Sequence, residues 1–87
     1  MPRVEYVTAT WAIVDVLKKS GGLLGYEELV AKTIAAYTTG EKKATIRVFR
    51  KPDGGLWSPE IEEAVKLLQE AGIIRIVNGR VFLVDKN

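Results

Sequence analysis

A cluster of basic residues in the middle of the chain is the clearest chemical feature of the sequence. Within ten positions it contains five cations: Lys42, Lys43, Arg47, Arg50 and Lys51. With two carboxylates, Glu41 and Asp53, the segment 40–57 has a net charge of +3. Clustered cations are typical of surfaces that bind phosphates, because each contact releases a counterion from the nucleic acid. We interpret this basic segment as a phosphate-contacting arm; the alternative is a solvated loop that pairs in part with an acidic neighbour.

The next segment has the opposite charge. Residues 58–72 contain one lysine and four carboxylates, a net charge of −3, and the carboxylates are Glu60, Glu62, Glu63 and Glu70. Carboxylates on a helix in the major groove repel the nearby phosphates, so this pattern favours a solvated face or a site for a basic protein partner. Any reading of the DNA sequence would come from Lys66, Gln69 or residues near Trp57 at the start of this helix. A further alternative is a dimer in which the basic segment of one chain meets the acidic segment of the other.

Two more arginines lie near the C-terminus, in a pair of β-rich runs. The runs are joined by Asn78-Gly79, the preferred pair for a two-residue type I′ hairpin. The register that this turn sets gives the hairpin two different faces. One is predicted to pack on the third helix and carries Ile74, Ile76, Val81 and Leu83. The other carries Arg75, Arg80 and Phe82, and two guanidiniums beside an aromatic ring suit phosphate contact or stacking on a base.

The composition excludes many chemical functions. The chain has no cysteine and no histidine, which removes disulfides, thiol nucleophiles and imidazole acid–base chemistry. We find no pair of carboxylates spaced for catalysis and therefore expect neither an enzyme nor a cofactor. No apolar stretch approaches the roughly 20 residues of a membrane span, and the first residues lack a signal-peptide apolar region, so we expect a cytoplasmic protein. A single methionine and a surface rich in Lys and Glu would suit a thermophile.

The first half of the chain predicts two helices. Its 87 residues allow one domain, with a core over about residues 8–84. Apolar residues at three- and four-residue spacing predict a helix over 8–19 and a second over 26–37, joined by an extended link. For residues 4–7 two alternatives remain: the first helix begins near Pro2, or these residues form a short strand. Trp11 and Trp57 are interpreted as anchors of the core or its rim.

The second half of the chain predicts a strand, a turn and a third helix. Alternation over Thr45–Phe49 predicts a strand with Ile46 and Val48 facing inward. Residues 52–55 have the composition of a turn. The third helix is predicted to begin with Ser58 as its cap and Pro59 in its first position, and to end at Gly72. The sequence therefore predicts an α+β fold of three helices and a small antiparallel sheet.

This order of elements resembles a winged-helix domain, in which the terminal hairpin is the wing. The segment Leu67-Leu-Gln-Glu-Ala-Gly-Ile-Ile74 is similar to the exit of the winged-helix third helix into its wing. Gly55-Leu-Trp-Ser-Pro-Glu-Ile61 is similar to the entry into that helix in some antitoxin-associated winged-helix-like proteins. The chain departs from the family in the basic segment, which inserts about 20 residues between the second and third helices.

The resemblance implies a winged-helix fold over residues 1–87 and does not by itself imply DNA binding. Together with the basic residues it leads us to expect a transcriptional regulator that binds double-stranded DNA. We expect contacts mainly to the DNA backbone, through the basic segment and the wing. Since other winged helices bind proteins, the alternative is an interaction module that uses the acidic third helix. A core this small gains from additional buried surface, so we expect a homodimer formed through the N-terminal helix with Tyr6 and Trp11.

Overall fold

The computed structural model describes residues 3–84, an α+β fold of three helices and short strands. The helices are α1 (Ala9–Lys19), α2 (Tyr26–Tyr37) and α3 (Pro59–Glu70). The strands are β1 (Glu5–Val7), β2 (Leu23–Gly25), β3 (Lys42–Ala44), β4 (Phe49–Arg50), β5 (Leu56–Trp57), β6 (Ile74–Val77) and β7 (Arg80–Leu83). The three helices predicted from the sequence are confirmed, and α2 has the predicted bounds.

The helix ends follow from local chemistry. The Thr8 hydroxyl accepts a hydrogen bond from the backbone N–H of Trp11 at 3.1 Å and so caps α1. Ser58 caps α3, and Pro59 occupies its first turn, as predicted. After α3, Gly72 adopts a φ of 76°, a left-handed conformation that glycine takes without steric cost. This turn lets the backbone N–H of Ile73 reach the carbonyl of Leu68 at 2.9 Å and directs the chain into β6.

A three-stranded antiparallel sheet with the order β2-β7-β6 forms one side of the fold. Asn78 and Gly79, with φ values of 50° and 75°, form the tip of the β6–β7 hairpin, called here the C-terminal hairpin. The predicted register is confirmed: Arg75 pairs with Phe82, and Ile76 pairs with Val81. The hairpin tip is also fixed to α2, because the backbone N–H of Tyr26 donates to the carbonyl of Gly79 at 2.8 Å.

The core lies between this sheet and the three helices. Helix α1 contacts both α2 and α3, β7 packs against α1 and α2, and β6 packs against α3. The side chains with the lowest exposure come from every helix and from both strands of the C-terminal hairpin: Ile13, Leu17, Leu29, Ile61, Ile74 and Val81. The inner face of the hairpin is therefore part of the core, as predicted.

The strand predicted over Thr45–Phe49 is wrong. Residues 45–48 have no regular structure between β3 and β4. The pairing of β3 stops at Ala44 because β1 ends at Val7. Beyond it, the backbone N–H of Arg47 donates to a side chain of α3 and is not available to a strand. Ile46 is half-buried as expected, but Val48 is 39% exposed and does not face inward.

Two small sheets were not predicted. Residues 5–7 form the strand β1, so of the two alternatives for this segment the strand is correct; Pro2 lies outside the described residues. Strand β1 pairs with β3 in parallel, which differs from the expected all-antiparallel arrangement. Strands β4 and β5 pair around the predicted turn and form a second hairpin, called here the inserted hairpin.

Among residues 3–84 no helix is long and apolar enough to cross a bilayer.

Two leucines on helices test how the core is divided from the surface. Leu17 on α1 is 0% exposed, whereas Leu67 on α3 is 50% exposed. We expect Leu17→Ala to lower the free energy of unfolding by about 2–5 kcal/mol, because it removes transfer energy and leaves a cavity. Leu67→Ala should change it by about 0.5 kcal/mol or less. Urea unfolding followed by circular dichroism measures both values, and equal losses in the two variants would contradict this assignment of the core.

Candidate nucleic-acid interface

The structure distributes the predicted phosphate-binding residues over five places. Lys42 and Lys43 lie on β3, and Arg47 lies in the irregular stretch that follows. The inserted hairpin carries Arg50 at the end of β4 and Lys51 at the start of its turn. Helix α3 carries Lys66 and Gln69, and the C-terminal hairpin carries Arg75 and Arg80. These residues therefore do not form one contiguous site, and their local partners determine which of them can bind a ligand.

Lys42 is held by neighbours from two other elements. Parallel pairing of β1 with β3 places Glu5 opposite Lys42, and the ammonium Nζ lies 3.7 Å from a Glu5 carboxylate oxygen. The same Nζ lies 4.5 Å from the centroid of the Trp11 ring, within cation–π range. The ring of Trp11 in turn packs edge-on against Tyr37, with centroids 6.1 Å apart. Trp11 is therefore a rim anchor, and Lys42 is partly neutralised within the chain.

Arg47 is engaged by the first turn of α3. Its backbone N–H donates to Oε1 of Glu60 at 2.7 Å, and its side-chain Nε donates to Oε2 at 2.8 Å. These hydrogen bonds, led by the one from the backbone, lower the pKa of the Glu60 carboxyl because they stabilise its charged form. The interpretation that the basic segment pairs in part with the acidic helix is thus confirmed for Arg47. The Arg47 guanidinium is still largely exposed to solvent. The ion pair with Glu60 therefore orients the basic segment and leaves the charge of Arg47 accessible.

The inserted hairpin leaves two cations without carboxylate partners. Phe49 of β4 stacks on Trp57 of β5, with ring centroids 5.2 Å apart and an angle of 29° between the planes. Across the turn, the backbone N–H of Lys51 donates to the carbonyl of Gly55 at 2.7 Å. Within residues 3–84, neither Arg50 nor Lys51 forms an ion pair. The sequence signal for this hairpin was the turn at 52–55 with an aromatic residue on each side.

Helix α3 exposes a mixed surface. Lys66 and Gln69 are exposed, and Glu62 precedes Lys66 by one helical turn, so the three residues follow one stripe. Glu63, Glu70 and the exposed Leu67 continue the outward surface. Any base contact made by Lys66 or Gln69 would bring carboxylates close to phosphates. The helix is therefore a weaker candidate for DNA contact than the two hairpins.

The C-terminal hairpin presents its arginines on a face that carries no carboxylate among residues 3–84. Arg75 and Arg80 are exposed on its outer face, as the register predicted, and Arg75 lies directly opposite Phe82. Neither arginine forms an ion pair within the described part of the chain. Both hairpins thus provide two cations each that are available to an external anion.

A cleft separates the inserted hairpin from the helices. It has a volume of about 650 Å³, and its lining includes Tyr26 of α2, Trp57 of β5 and Glu62 of α3. Burial, together with the nearby Glu62 carboxylate, raises the pKa of the Tyr26 hydroxyl. Across residues 3–84 no group of three potential metal ligands occurs.

The fold and these surfaces define an α+β domain of three helices with basic residues on two separate hairpins. Comparisons with protein-family models, with curated proteins and with solved structures give no significant match.

A polar network beside Trp11 links α1 to the last residue of α2. The Tyr37 hydroxyl donates to the Asp15 carboxylate, and Nζ of Lys19 lies 3.0 Å from the same oxygen. The hydrogen bond from Tyr37 lowers the pKa of the Asp15 carboxyl, with a further contribution from Lys19, while burial opposes the shift. For Tyr37, burial and the Asp15 carboxylate raise the pKa of the hydroxyl. The ionised form of Asp15 therefore stabilises the fold.

Asp15→Asn should reveal this contribution through its dependence on pH. A carboxyl whose pKa is lowered on folding stabilises the protein above its unfolded pKa of about 3.9. That stability is lost as the pH falls through the folded value. We expect Asp15→Asn to lower the free energy of unfolding by about 1–2 kcal/mol at pH 7, a difference that shrinks below about pH 4. Urea unfolding between pH 7 and about pH 2.5 measures it. The exposed Glu70→Gln is the control, and a difference independent of pH would contradict the assignment.

Proposed function

We propose that this protein is a winged-helix DNA-binding protein that holds duplex DNA mainly by its phosphates. The observation that carries the proposal is a pair of cations on each hairpin that form no ion pair among residues 3–84: Arg50 and Lys51 on one, Arg75 and Arg80 on the other. Cations that already have carboxylate partners gain less from a phosphate, because the existing pair must first be broken. By this criterion these four residues and Lys43 contribute more binding energy than Lys42 and Arg47.

The topology supports the winged-helix assignment. The order α1, β2, α2, α3, β6, β7 is that of the family, and the terminal hairpin pairs with the strand between the first two helices. The segment 67–74, whose sequence resembles the family's exit into the wing, runs from α3 into β6 in the structure. The inserted hairpin does not disturb this arrangement, because β5 leads through Ser58 directly into α3 and keeps the insertion at the start of that helix.

Backbone binding follows from the charges on either side of the start of α3. Four carboxylates on α3 disfavour its deep entry into a major groove, since they would lie near phosphates. Cations at the ends of two hairpins can instead contact the backbone without reading bases. Lys66 and Gln69 remain the candidates for sequence-dependent contacts. We place this activity in the cytoplasm, with transcriptional regulation as its role.

A second candidate function is an interaction module for a basic protein. The observation that favours it is the exposed Leu67 between Glu63 and Glu70 on α3, since an apolar residue ringed by carboxylates suits a partner with a basic rim. In this case the substitutions that matter would be those of the carboxylates, and the arginines of the hairpins would be dispensable.

Salt dependence of duplex binding tests the proposed function. Arg50→Gln and Arg80→Gln should each weaken the binding of a random-sequence duplex and lower the slope of log K against log salt by about one. Lys32→Gln is the matched control, since Lys32 is an exposed lysine of α2 outside both hairpins. Glu62→Gln should leave binding unchanged or tighten it. Fluorescence anisotropy over a range of salt concentrations gives these values.

Two results would contradict the proposed function. The first is wild-type protein that retains no duplex at about 50 mM salt, where phosphate contacts are strong. The second is an inverted pattern, in which Glu63→Gln abolishes the binding of a basic protein partner and the arginine substitutions have no effect. The second result would establish the interaction module.

The proposed homodimer has its own test. Tyr6 is 69% exposed and lines a groove together with Leu67, which gives the N-terminal side of the molecule an apolar surface. We expect light scattering at high micromolar concentration to give twice the chain mass of 9.6 kDa. The Tyr6→Glu variant should give the mass of one chain, because a dimer would have to bury the new carboxylate in its interface. Phe49→Glu, at an exposed aromatic on the inserted hairpin, is the control and should leave the dimer intact. A wild-type mass of one chain would refute the dimer.

A further inference from the structure

The outer face of the sheet β2-β7-β6 combines an aromatic ring, apolar side chains and two guanidiniums. Pairing of the strands places Leu23, Phe82 and Arg75 in one row across the sheet. The next row in the same direction consists of Gly25, Arg80 and Val77. Side chains one position along each strand point to the core, as the buried Leu24 and Val81 show. The two rows therefore form a flat surface that is open to solvent.

Phe82 lies at the centre of this surface. It is 37% exposed and sits on the middle strand, with an exposed leucine on one side and Arg75 on the other. A base stacked on its ring would have a guanidinium beside it to hold the adjoining phosphate. In the next row, Gly25 has no side chain, and nothing lies within 4 Å of the position its Cβ would take. This leaves the β2 side of Arg80 uncovered, so an extended ligand could cross the sheet beside this arginine.

The charges of this face identify the class of its ligand. Both of its ionisable groups in the described range are arginines, and no carboxylate lies on it there. A second copy of the chain bound by a two-fold axis through this face would bring four guanidiniums together without a carboxylate. The ligand is therefore an anion with flat apolar groups, and a nucleic acid strand with unstacked bases has both features.

We propose that this sheet face binds single-stranded nucleic acid, with Phe82 as the stacking platform and Arg75 and Arg80 as phosphate contacts. The inference rests on the proposed function only in taking nucleic acid as the ligand. It adds that the molecule binds unpaired bases, at a place distinct from the turn of the inserted hairpin. Paired bases cannot use this site, because their faces are covered by their neighbours in the duplex.

The test compares an oligothymidylate of about 12 nucleotides, which has no stable secondary structure, with a duplex of random sequence. We expect Phe82→Leu to weaken oligothymidylate binding by roughly 5- to 100-fold, the effect of losing one stacked base, and to leave duplex affinity unchanged. Phe82→Trp keeps an aromatic ring at this position and should bind oligothymidylate with the affinity of the wild type. Phe49→Leu is the matched control, since Phe49 is 43% exposed on the other hairpin, and it should bind oligothymidylate like the wild type.

A second variant keeps the test valid if Phe82→Leu does not fold by circular dichroism. Arg75→Gln alters an exposed side chain and should lower the salt slope of oligothymidylate binding by about 0.7, the value for one phosphate contact on a single strand. Equal oligothymidylate affinity in the wild type and both variants would overturn the inference and leave duplex binding standing. Wild-type binding of polyglutamate in preference to oligothymidylate would also overturn it, since the face would then take an acidic peptide. Oligothymidylate binding without duplex binding would support it and refute the proposed function.

Discussion

Strand β7 is the element on which the rest of the structure depends. It is the middle strand of the main sheet, its Val81 is fully buried, and both α1 and α2 pack against it. The backbone around it is tied at both ends, through Leu83 to Gly22 and through Gly79 to the first residue of α2. Helix α3 joins the same unit through β6. Successive side chains of a strand point to opposite faces of the sheet. Packing the inward-facing side chains of β7 in the core therefore also places Arg80 and Phe82 on its outer face. The outer face of the sheet is therefore positioned by the core.

The inserted hairpin is held in a different way. Its two strands have two residues each, and isolated hairpins of this kind are only marginally stable in water. Aromatic stacking of Phe49 on Trp57 and the hydrogen bonds from Arg47 to Glu60 supply what the strands lack. The stacking joins the two strands of the hairpin, and the hydrogen bonds to Glu60 link the segment before β4 to the first turn of α3. The two basic hairpins thus differ in how they are held: the C-terminal hairpin is part of the core, whereas the inserted hairpin depends on contacts near the start of α3.

The parts of the fold that could be predicted from the sequence are those specified by neighbours along the chain. The Ser58 cap, Gly72 and the Asn78-Gly79 turn each act within a few residues, and α3 and the C-terminal hairpin follow from them. The strand predicted at 45–49 failed because alternation shows which side chains could face a core, but not whether a partner strand is present. The partner of β3 is β1, at the other end of the chain, and it ends too early to extend the pairing. For the candidate site, the exposed face of the C-terminal hairpin was predictable from register, whereas the partners of Lys42 and Arg47 were not, because Glu5 and Glu60 are distant in sequence.

Pairing within the chain also changes the meaning of the opposite charges of the two central segments. Arg47 neutralises Glu60, a carboxylate in the first turn of α3, and so reduces the repulsion that a phosphate bound by the inserted hairpin would meet from this turn. The remaining carboxylates continue along the exposed side of the helix. The cations of the two hairpins, which lie before and after α3 in the chain, would attract the phosphates of a bound duplex. The carboxylates of α3 would repel them. The charge distribution therefore favours a docking geometry in which α3 lies above the phosphate backbone and not within the groove, unlike the recognition helix of a helix-turn-helix protein. In this geometry DNA shape would contribute to sequence discrimination beside any base contacts of Lys66 and Gln69, because the carboxylates of α3 oppose its deep entry into the groove.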